Sequence, residues 1–580
     1  MLVDTKENSS LRNDSVSTSI SSIKDTSLLR NFKNSFKRVD QDQNKFDDEK
    51  YNSVDEGQKR LVDQPLRKTL QQRHLTMIAI GGTLGTGLFI GLGESLASGP
   101  GSLLIGYIIV GIAVFCVVQS AAELSCQYPV SGSYATLVTR FMNESFGFTV
   151  ATNYCLAWLV CFPSELVGSA MVIRYWNDSV NSCVWIAIFW VFVMCLNLFG
   201  VEGYAETEFW LSIIKIIAII IFIIIGIVLI CGGGPNSTGY IGTKYWHDPG
   251  SFAHPVFKSL CNTFVSAAYS FGGCEIVVLT SAESRKISSI ARAAKGTFWR
   301  ITIFYLVTIV IIGCLVPYTD NKLISATSSE DVTASPFVIA LSNCGAMGTR
   351  VSHFMNTVIL VSTISVSNSC VYASSRIIQA LGAMNQLPSI CGYIDRRGRP
   401  LVGIAICGLF GLLGFLVAAE NEAAIFTWLY SLTSVAYFVT WFSICWCQVR
   451  FRMALKRQGR SNDEIAYKSM LGIYGGYVGA ILNIVLIIGE VYISIFPLNE
   501  SPSANIFFQN CLSIPIMLVS FFGHKIYCKG WKDWFVRAKD IDLDTGNSIT
   551  DFEIFKAEIE EEKERIASSP LYYRIYRFWC

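Results

Sequence analysis

Three ionisable side chains sit where the surrounding sequence is almost wholly apolar. Lys215 lies within residues 210–231, Glu165 follows Phe162-Pro163-Ser164, and Glu275 follows Gly272-Gly273-Cys274. A charge at the centre of an apolar helix costs roughly 2.5–3.5 kcal/mol on insertion scales, so each needs a partner or a task. Lys215 can take up and release a proton during a cycle, or snorkel to an interface. Either glutamate could pair with an ammonium group or relay a proton. For Glu275 the competing role is a structural carboxylate that caps free amides. Glu123 and Glu490 lie nearer helix ends or further along the chain and are read as structural.

Two glycine-broken stretches accompany these charges: Gly81-Gly82-Thr83-Leu84-Gly85-Thr86-Gly87 and Ser270-Phe271-Gly272-Gly273-Cys274-Glu275. Small residues in the first could serve helix packing alone. The second break, at a matching place further along, favours unwound backbone lining a mid-membrane cavity. Half-helix amino termini there offer N–H groups to a carboxylate, and freed carbonyls suit an ammonium. Such a site fits the head group of an α-amino acid. Tyr269, just before the second break, could close over a substrate and stack on a cationic group, or simply pack. Ser362, Thr363, Ser365, Ser367, Asn368 and Ser369 form a polar row that faces the first break and Lys215 or bonds between helices. Trp428, Thr433 and Ser434 are further candidates for selectivity.

The elements that must hold these residues are membrane helices. With 580 residues, 52% hydrophobic and only 16% charged, the chain is a polytopic all-α membrane protein. Apolar runs of membrane length fall near 75–97, 103–122, 149–172, 183–200, 210–231, 261–281, 301–317, 353–374, 401–418, 425–447, 472–495 and 507–527. The breaks interrupt the first and sixth, which makes two five-helix halves, 75–231 and 261–447, plus two peripheral helices at 472–527. Lys and Arg concentrate between segments six and seven, eight and nine, and ten and eleven, which places those connections and both tails in the cytosol. A connection at 201–209, with Glu202, Glu206 and Glu208 and no base, fits this orientation poorly.

Residues 1–70 read as a disordered cytoplasmic tail, in which Lys24, Lys33, Lys37, Lys45 and Lys50 could be modified, followed by the transporter domain at 71–530 and a carboxyl tail at 531–580. The 19 cysteines are mostly scattered inside apolar segments without metal-ligand spacing, so neither a disulfide framework nor a metal site is expected. Cys580, ending the chain after Phe578-Trp579, could carry a lipid. Asn177 and Asn236 head sequons in expected external loops, where glycosylation competes with chance occurrence.

With Arg73-His74-Leu75-Thr76-Met77-Ile78-Ala79-Ile80-Gly81-Gly82, Gly239-Tyr240-Ile241-Gly242, Lys244-Tyr245-Trp246-His247-Asp248-Pro249-Gly250, Gly398-Arg399-Pro400-Leu401-Val402-Gly403-Ile404 and Phe578-Trp579-Cys580 in view, residues from about 66 to 580 resemble the fungal amino-acid permeases of the amino acid–polyamine–organocation superfamily. Gln119-Ser120-Ala121-Ala122-Glu123-Leu124-Ser125-Cys126, Phe162-Pro163-Ser164-Glu165-Leu166 and residues 460–468 look most like the high-affinity permeases for S-adenosylmethionine and S-methylmethionine.

The resemblance implies a LeuT-like fold of twelve helices with a five-plus-five inverted repeat. It also implies proton-coupled import across the plasma membrane after synthesis through the endoplasmic reticulum, with no cofactor besides the proton, no enzyme activity and no nucleic-acid partner. Thr86, Gly87 and neighbouring Gly85 would take the substrate carboxylate, and the carbonyls of Thr83 and Ser270 the ammonium. Gly272 would shape the second break and Tyr269 would be the gate, where relatives usually carry phenylalanine. Lys215 would stand where a sodium ion sits in other carriers, Cys580 would be palmitoylated, and ubiquitin-ligase adaptors and a chaperone would act at the tails. Sulfonium selectivity comes from this similarity and not from a decoded pocket. A broad-specificity amino-acid permease and a substrate-binding nutrient sensor stay open as alternatives.

Overall fold

The computed structural model describes residues 69–571, with residues 58 and 61, apart from 131, 234–238, 285–286, 321–322, 324–334, 343–345, 421, 499–500, 530, 532–533, 548–556, 558–559 and 562–563. Helix α1 (Gln72–Thr83), a π-helical turn (Gly87–Gly91) and α2 (Leu92–Leu96) form the first span, interrupted at 84–86. Then come α3 (Pro100–Gln127), a short α4 (Ser133–Phe141), α5 (Glu144–Arg174), α6 (Ser182–Asn197) and α7 (Gly200–Ile230). The second half holds α8 (Val256–Phe271) and α9 (Ile276–Leu279) either side of the second break, then α10 (Ile287–Leu315), α11 (Ala346–Ala383), α12 (Leu401–Gly411) with a 3-10 continuation (Leu412–Ala418), and α13 (Glu422–Arg457). Last are α14 (Gly472–Ile495) and the pair α15 (Ala504–Cys511) and α16 (Ser513–Tyr527), bent by 59°.

Among the described residues, eight helices are long and apolar enough to cross a membrane alone, and the bent pair makes a ninth. The other three expected segments are the 16-residue α6, the broken α8–α9 and α10, whose apolar part is Thr302–Leu315. Local sequence explains where the helices start. Pro100 occupies the first turn of α3, where its missing N–H costs nothing, and the Asn143 side chain caps α5 by accepting the Phe146 N–H at 2.6 Å.

One expectation fails. Residues 201–209 are not a connection, because α7 begins at Gly200. Its acids are accounted for within the helix: Glu206 meets Arg73 at 2.7 Å and His74 at 3.0 Å, and Glu208 is fully buried. The supposed carboxyl tail is also docked in part. Ile541 and Leu543 are buried with Tyr128, Phe141 and Phe451, the Val536 N–H donates to the Met142 carbonyl, and Tyr128 donates to the Leu543 carbonyl at 3.0 Å.

Helix α5 packs against α11 and α13, while α1 packs against α7 and α10. Those contacts bring the broken spans to the middle of the bundle, where the unwound backbone is covered by protein.

Candidate substrate site between two broken helices

The two breaks touch. Gly273 has φ +94°, and a Cβ there would lie 2.6 Å from the Gly82 carbonyl oxygen, so only glycine allows the second break to sit on the first. Five residues beyond Gly82, a Cβ at Gly87 would lie 2.8 Å from Ser270 Cα. Tyr305 ties the breaks together, its hydroxyl lying 2.8 Å from the Thr83 carbonyl and 2.7 Å from the Ser270 carbonyl. The Thr83 carbonyl also accepts from the Gly85 N–H at 3.0 Å, so the lone pair left for a further donor is on the Ser270 carbonyl. Tyr107 meets Ser270 Oγ at 2.8 Å. The Thr83 hydroxyl turns back to the Ile80 carbonyl and closes α1. Among the described residues, the amides of Thr86 and Gly87 donate to no protein carbonyl, which is what an anion acceptor at a half-helix start requires.

Between the breaks is a small cavity lined by Gly82, Thr83, Gly85, Gly87, Trp158, Cys161, Glu165, Tyr269, Gly272, Val366 and Tyr437. Glu165 is fully buried, and its Oε1 accepts from Thr86 Oγ1 at 2.6 Å and from the Tyr269 hydroxyl at 3.0 Å. Its Oε2 is buried without a partner. Burying a carboxylate oxygen unsatisfied is costly, so the position awaits a donor or a cation. The Tyr269 ring rests on Tyr430, with centroids 4.5 Å apart. Trp158 and Tyr437 complete an aromatic wall, 6.3 Å apart and edge to face. Both escaped the sequence reading, although Trp158, Cys161 and Glu165 recur at i, i+3 and i+7 on one face of α5.

Behind the first break, Lys215 donates to the Gly81 carbonyl at 2.6 Å and lies 3.9 Å from Glu208. Both are fully buried, which rules out a snorkelling lysine. Ser365 donates to Glu208 Oε1 at 2.5 Å, and Glu208 Oε2 has no partner. Ser362 reaches the Leu84 carbonyl at 2.5 Å, so the polar row of α11 does face the break and Lys215. It also bonds between helices elsewhere, Asn368 with Asn197 and Ser369 with Tyr204. Glu208 is the buried partner of Lys215 that the sequence hid behind its supposed loop. Its signal was the i, i+7 spacing to Lys215, two turns along one face.

Glu275 is saturated. One oxygen accepts from Tyr154 at 3.0 Å and the Gly273 N–H at 3.3 Å, the other from Trp441 at 3.2 Å and Cys274 at 3.3 Å. Ser434 does not line the cavity. Its hydroxyl donates to Glu490, a fully buried carboxylate on α14 whose Oε2 has no partner. Thr433 bonds the Tyr430 carbonyl of its own helix. Glu123 is the structural carboxylate expected of it, held by Arg452 at 2.8 and 2.7 Å. Asn177 is exposed and accepts from the Ser179 N–H and hydroxyl at 2.9 and 2.6 Å. Asn236, Cys580 and the amino-tail lysines lie outside the described residues.

A helical bundle whose two mid-span breaks meet around a small polar cavity is the architecture of a membrane carrier. A family profile for amino acid permeases matches residues 74–537. The chain is 66% identical to the S-adenosylmethionine permease SAM3 of Saccharomyces cerevisiae, over 96% of this chain and 95% of that one. It is 64% identical to S-methylmethionine permease 1 of the same yeast, over 95% of each, and 45% identical to its general amino-acid permease GAP1, over 96% and 92%. The chain belongs to the amino acid permease family, a family of multi-pass membrane transporters and not of enzymes.

Proposed function

We propose that this permease imports a sulfonium derivative of an amino acid, of the S-adenosylmethionine and S-methylmethionine type, across the plasma membrane together with a proton. The observation that carries the reading is the bare, buried Oε2 of Glu165 in a cavity walled by Trp158, Tyr269 and Tyr437. A sulfonium centre has no proton to donate, so it is held by a negative charge and by ring faces. The amides of Thr86 and Gly87 take the carboxylate, and the Ser270 carbonyl takes the ammonium together with the Thr83 carbonyl, which gives up the Tyr305 hydroxyl to do so. The similarity to the two yeast sulfonium permeases supports the same substrate class. As it stands the cavity has room for little more than a water molecule, so any sulfonium substrate requires Tyr269 and its neighbours to swing aside.

Lys215 and Glu208 are the proton-handling pair. With Lys215 on the Gly81 carbonyl, a change in its protonation alters the hold on the first break, which is how a proton and a substrate become coupled. One net positive charge entering gains about 2.3 kcal/mol per 100 mV of membrane potential. The Lys and Arg distribution supports a cytosolic position for both tails, and the resemblance of Phe578-Trp579-Cys580 to the ends of other permeases supports lipidation of Cys580 after synthesis through the endoplasmic reticulum.

The test is uptake of labelled S-adenosylmethionine, S-methylmethionine and neutral amino acids in cells stripped of their own carriers, with and without a protonophore. Saturable, protonophore-sensitive uptake of the sulfonium compounds is expected. Equal uptake of all substrates would mean a broad-specificity permease, and binding without uptake would mean a sensor.

A further inference from the structure

The first turn of α5 and the last turn of α16 bring together three side chains that the transport site does not use: Glu144, His524 and Cys528. Cys528 Sγ lies 3.6 Å from His524 Nε2 and 3.8 Å from Glu144 Oε1, and His524 Nε2 lies 3.9 Å from Glu144 Oε1. Around a tetrahedral zinc, with Zn–S about 2.3 Å and Zn–N and Zn–O about 2.0–2.2 Å, such atoms stand roughly 3.3–3.6 Å apart. Small rotamer adjustments close the difference. His524 and Cys528 are one turn apart on the same face, as metal-binding pairs on helices are.

The histidine is held as ligands are held. Its Nδ1 lies 3.1 Å from Ser145 Oγ, and donation to that oxygen leaves the lone pair on Nε2; Cys528 Sγ stands 3.6 Å from Nε2 and 3.7 Å from Nδ1, so the thiol turns toward Nε2 to share an ion with it. Phe148 stacks on the imidazole at 4.6 Å and 26°, fixing the ring plane. The histidine side chain is 8% exposed and the glutamate 42%, so a metal has a rigid ligand on the inner side and an open approach on the outer.

We propose that Glu144, His524 and Cys528 form a metal site for zinc or a similar borderline-soft divalent ion, with a fourth position open to water, that clasps the start of α5 to the end of α16. Thiolate, imidazole and carboxylate on one ion select zinc over magnesium or calcium, which take oxygen alone. The clasp lies beside the docked carboxyl-terminal segment, where Asn143 donates to the Trp534 carbonyl at 2.7 Å and Lys525 lies 4.4 Å from the Trp534 ring. Nearly 380 residues separate Glu144 from His524, which is why no ligand spacing was visible in the sequence.

Full-length protein, purified in detergent, reduced and stripped of metal, is titrated with Co²⁺. One saturable equivalent is expected, with a near-ultraviolet thiolate-to-cobalt charge-transfer band and four-coordinate visible bands, all displaced by Zn²⁺. Cys528→Ser should remove the charge-transfer band, and His524→Ala should weaken Co²⁺ binding at least tenfold. Ser145→Ala should weaken it by roughly tenfold through the orienting bond. Cys528→His, which keeps three ligands, should restore binding without the charge-transfer band and so separate ligand loss from misfolding. The absence of saturable binding, or a charge-transfer band that survives in Cys528→Ser, overturns the proposal, since either places the metal elsewhere or nowhere.

Discussion

Around the first break, Lys215 holds the Gly81 carbonyl and lies 3.9 Å from Glu208, which has one bare oxygen, and Glu165 likewise keeps one oxygen without a partner. Around the second, Glu275 uses both oxygens, on Tyr154 and the Gly273 N–H at one and on Trp441 and Cys274 at the other, while its own carbonyl accepts from Tyr134 at 2.7 Å. A saturated buried carboxylate fixes the backbone it bonds, and an unsaturated one keeps affinity for a proton or a cation. The difference separates the carboxylates: Glu275 fixes the shape of the second break, while Glu208 and Glu165 beside the first each keep an oxygen for a proton or a cation.

The largest effect should come from forcing the breaks apart. A side chain at Gly87 would meet the Ser270 backbone, which cannot yield as a flexible side chain can. Gly87→Val should lower uptake by on the order of 100-fold or more, from an overpacking cost of about 3 kcal/mol, while the protein still reaches the membrane. Normal substrate affinity in membranes would show that the cavity lies elsewhere. Next, Lys215→Ala should abolish pH-driven accumulation while leaving substrate exchange measurable in proteoliposomes. Unchanged concentrative uptake would remove Lys215 from coupling and with it the contrast between the breaks.

Two further substitutions probe the carboxylates directly. Glu165→Gln removes the charge that faces the cavity and should weaken sulfonium uptake by roughly 10–100-fold, in line with the 1.5–3 kcal/mol of bonds to charged groups, with less effect on neutral amino acids. A loss equal for both would make Glu165 structural. Glu275→Gln leaves one of two fixed donors, the Gly273 N–H or the Trp441 N–H, facing an amide NH₂. The expected cost is about 1–3 kcal/mol of stability, read as a lower thermal midpoint in detergent, with substrate preference unchanged. An altered preference or lost coupling would erase the distinction between the breaks.

Much of this arrangement was written in residue types. Glycine pairs marked both interruptions, and Lys215, Thr86, Tyr269 and Ser270 lie where their positions beside those glycines suggested. Glu208 was lost because three acids within seven residues resemble a loop, and only the helix shows that Arg73 and His74 serve Glu206 while Glu208 turns inward. Ser434 misled for the opposite reason. Its polar neighbours pointed to selectivity, but the Glu490 carboxylate that claims its hydroxyl sits on another helix, and no local pattern encodes that pairing. The aromatic wall failed to stand out because Trp158 and Tyr437 are single members of a chain that is 13% aromatic. Which ring faces a cavity is decided by packing between spans, not by local sequence.

The smallest predicted effect concerns Tyr269, whose hydroxyl links the second break to Glu165 on α5. Its hydroxyl, from the helix before the second break, donates to Glu165 Oε1 at 3.0 Å and lies 3.4 Å from Thr86 Oγ1 at the first. Tyr269→Phe keeps the ring against Tyr430 and leaves Thr86 on Glu165 at 2.6 Å, so the carboxylate loses one of two donors and none of its shape. The net worth of such a bond is about 0.5–1.5 kcal/mol, or roughly 2–10-fold in apparent affinity for the sulfonium substrate. The direction is the informative part. Weaker sulfonium affinity would mean that the hydroxyl aims Glu165 Oε2 at the cation, whereas tighter affinity would mean that it competes with the substrate for the carboxylate, and the gate would then have to break that bond on every cycle.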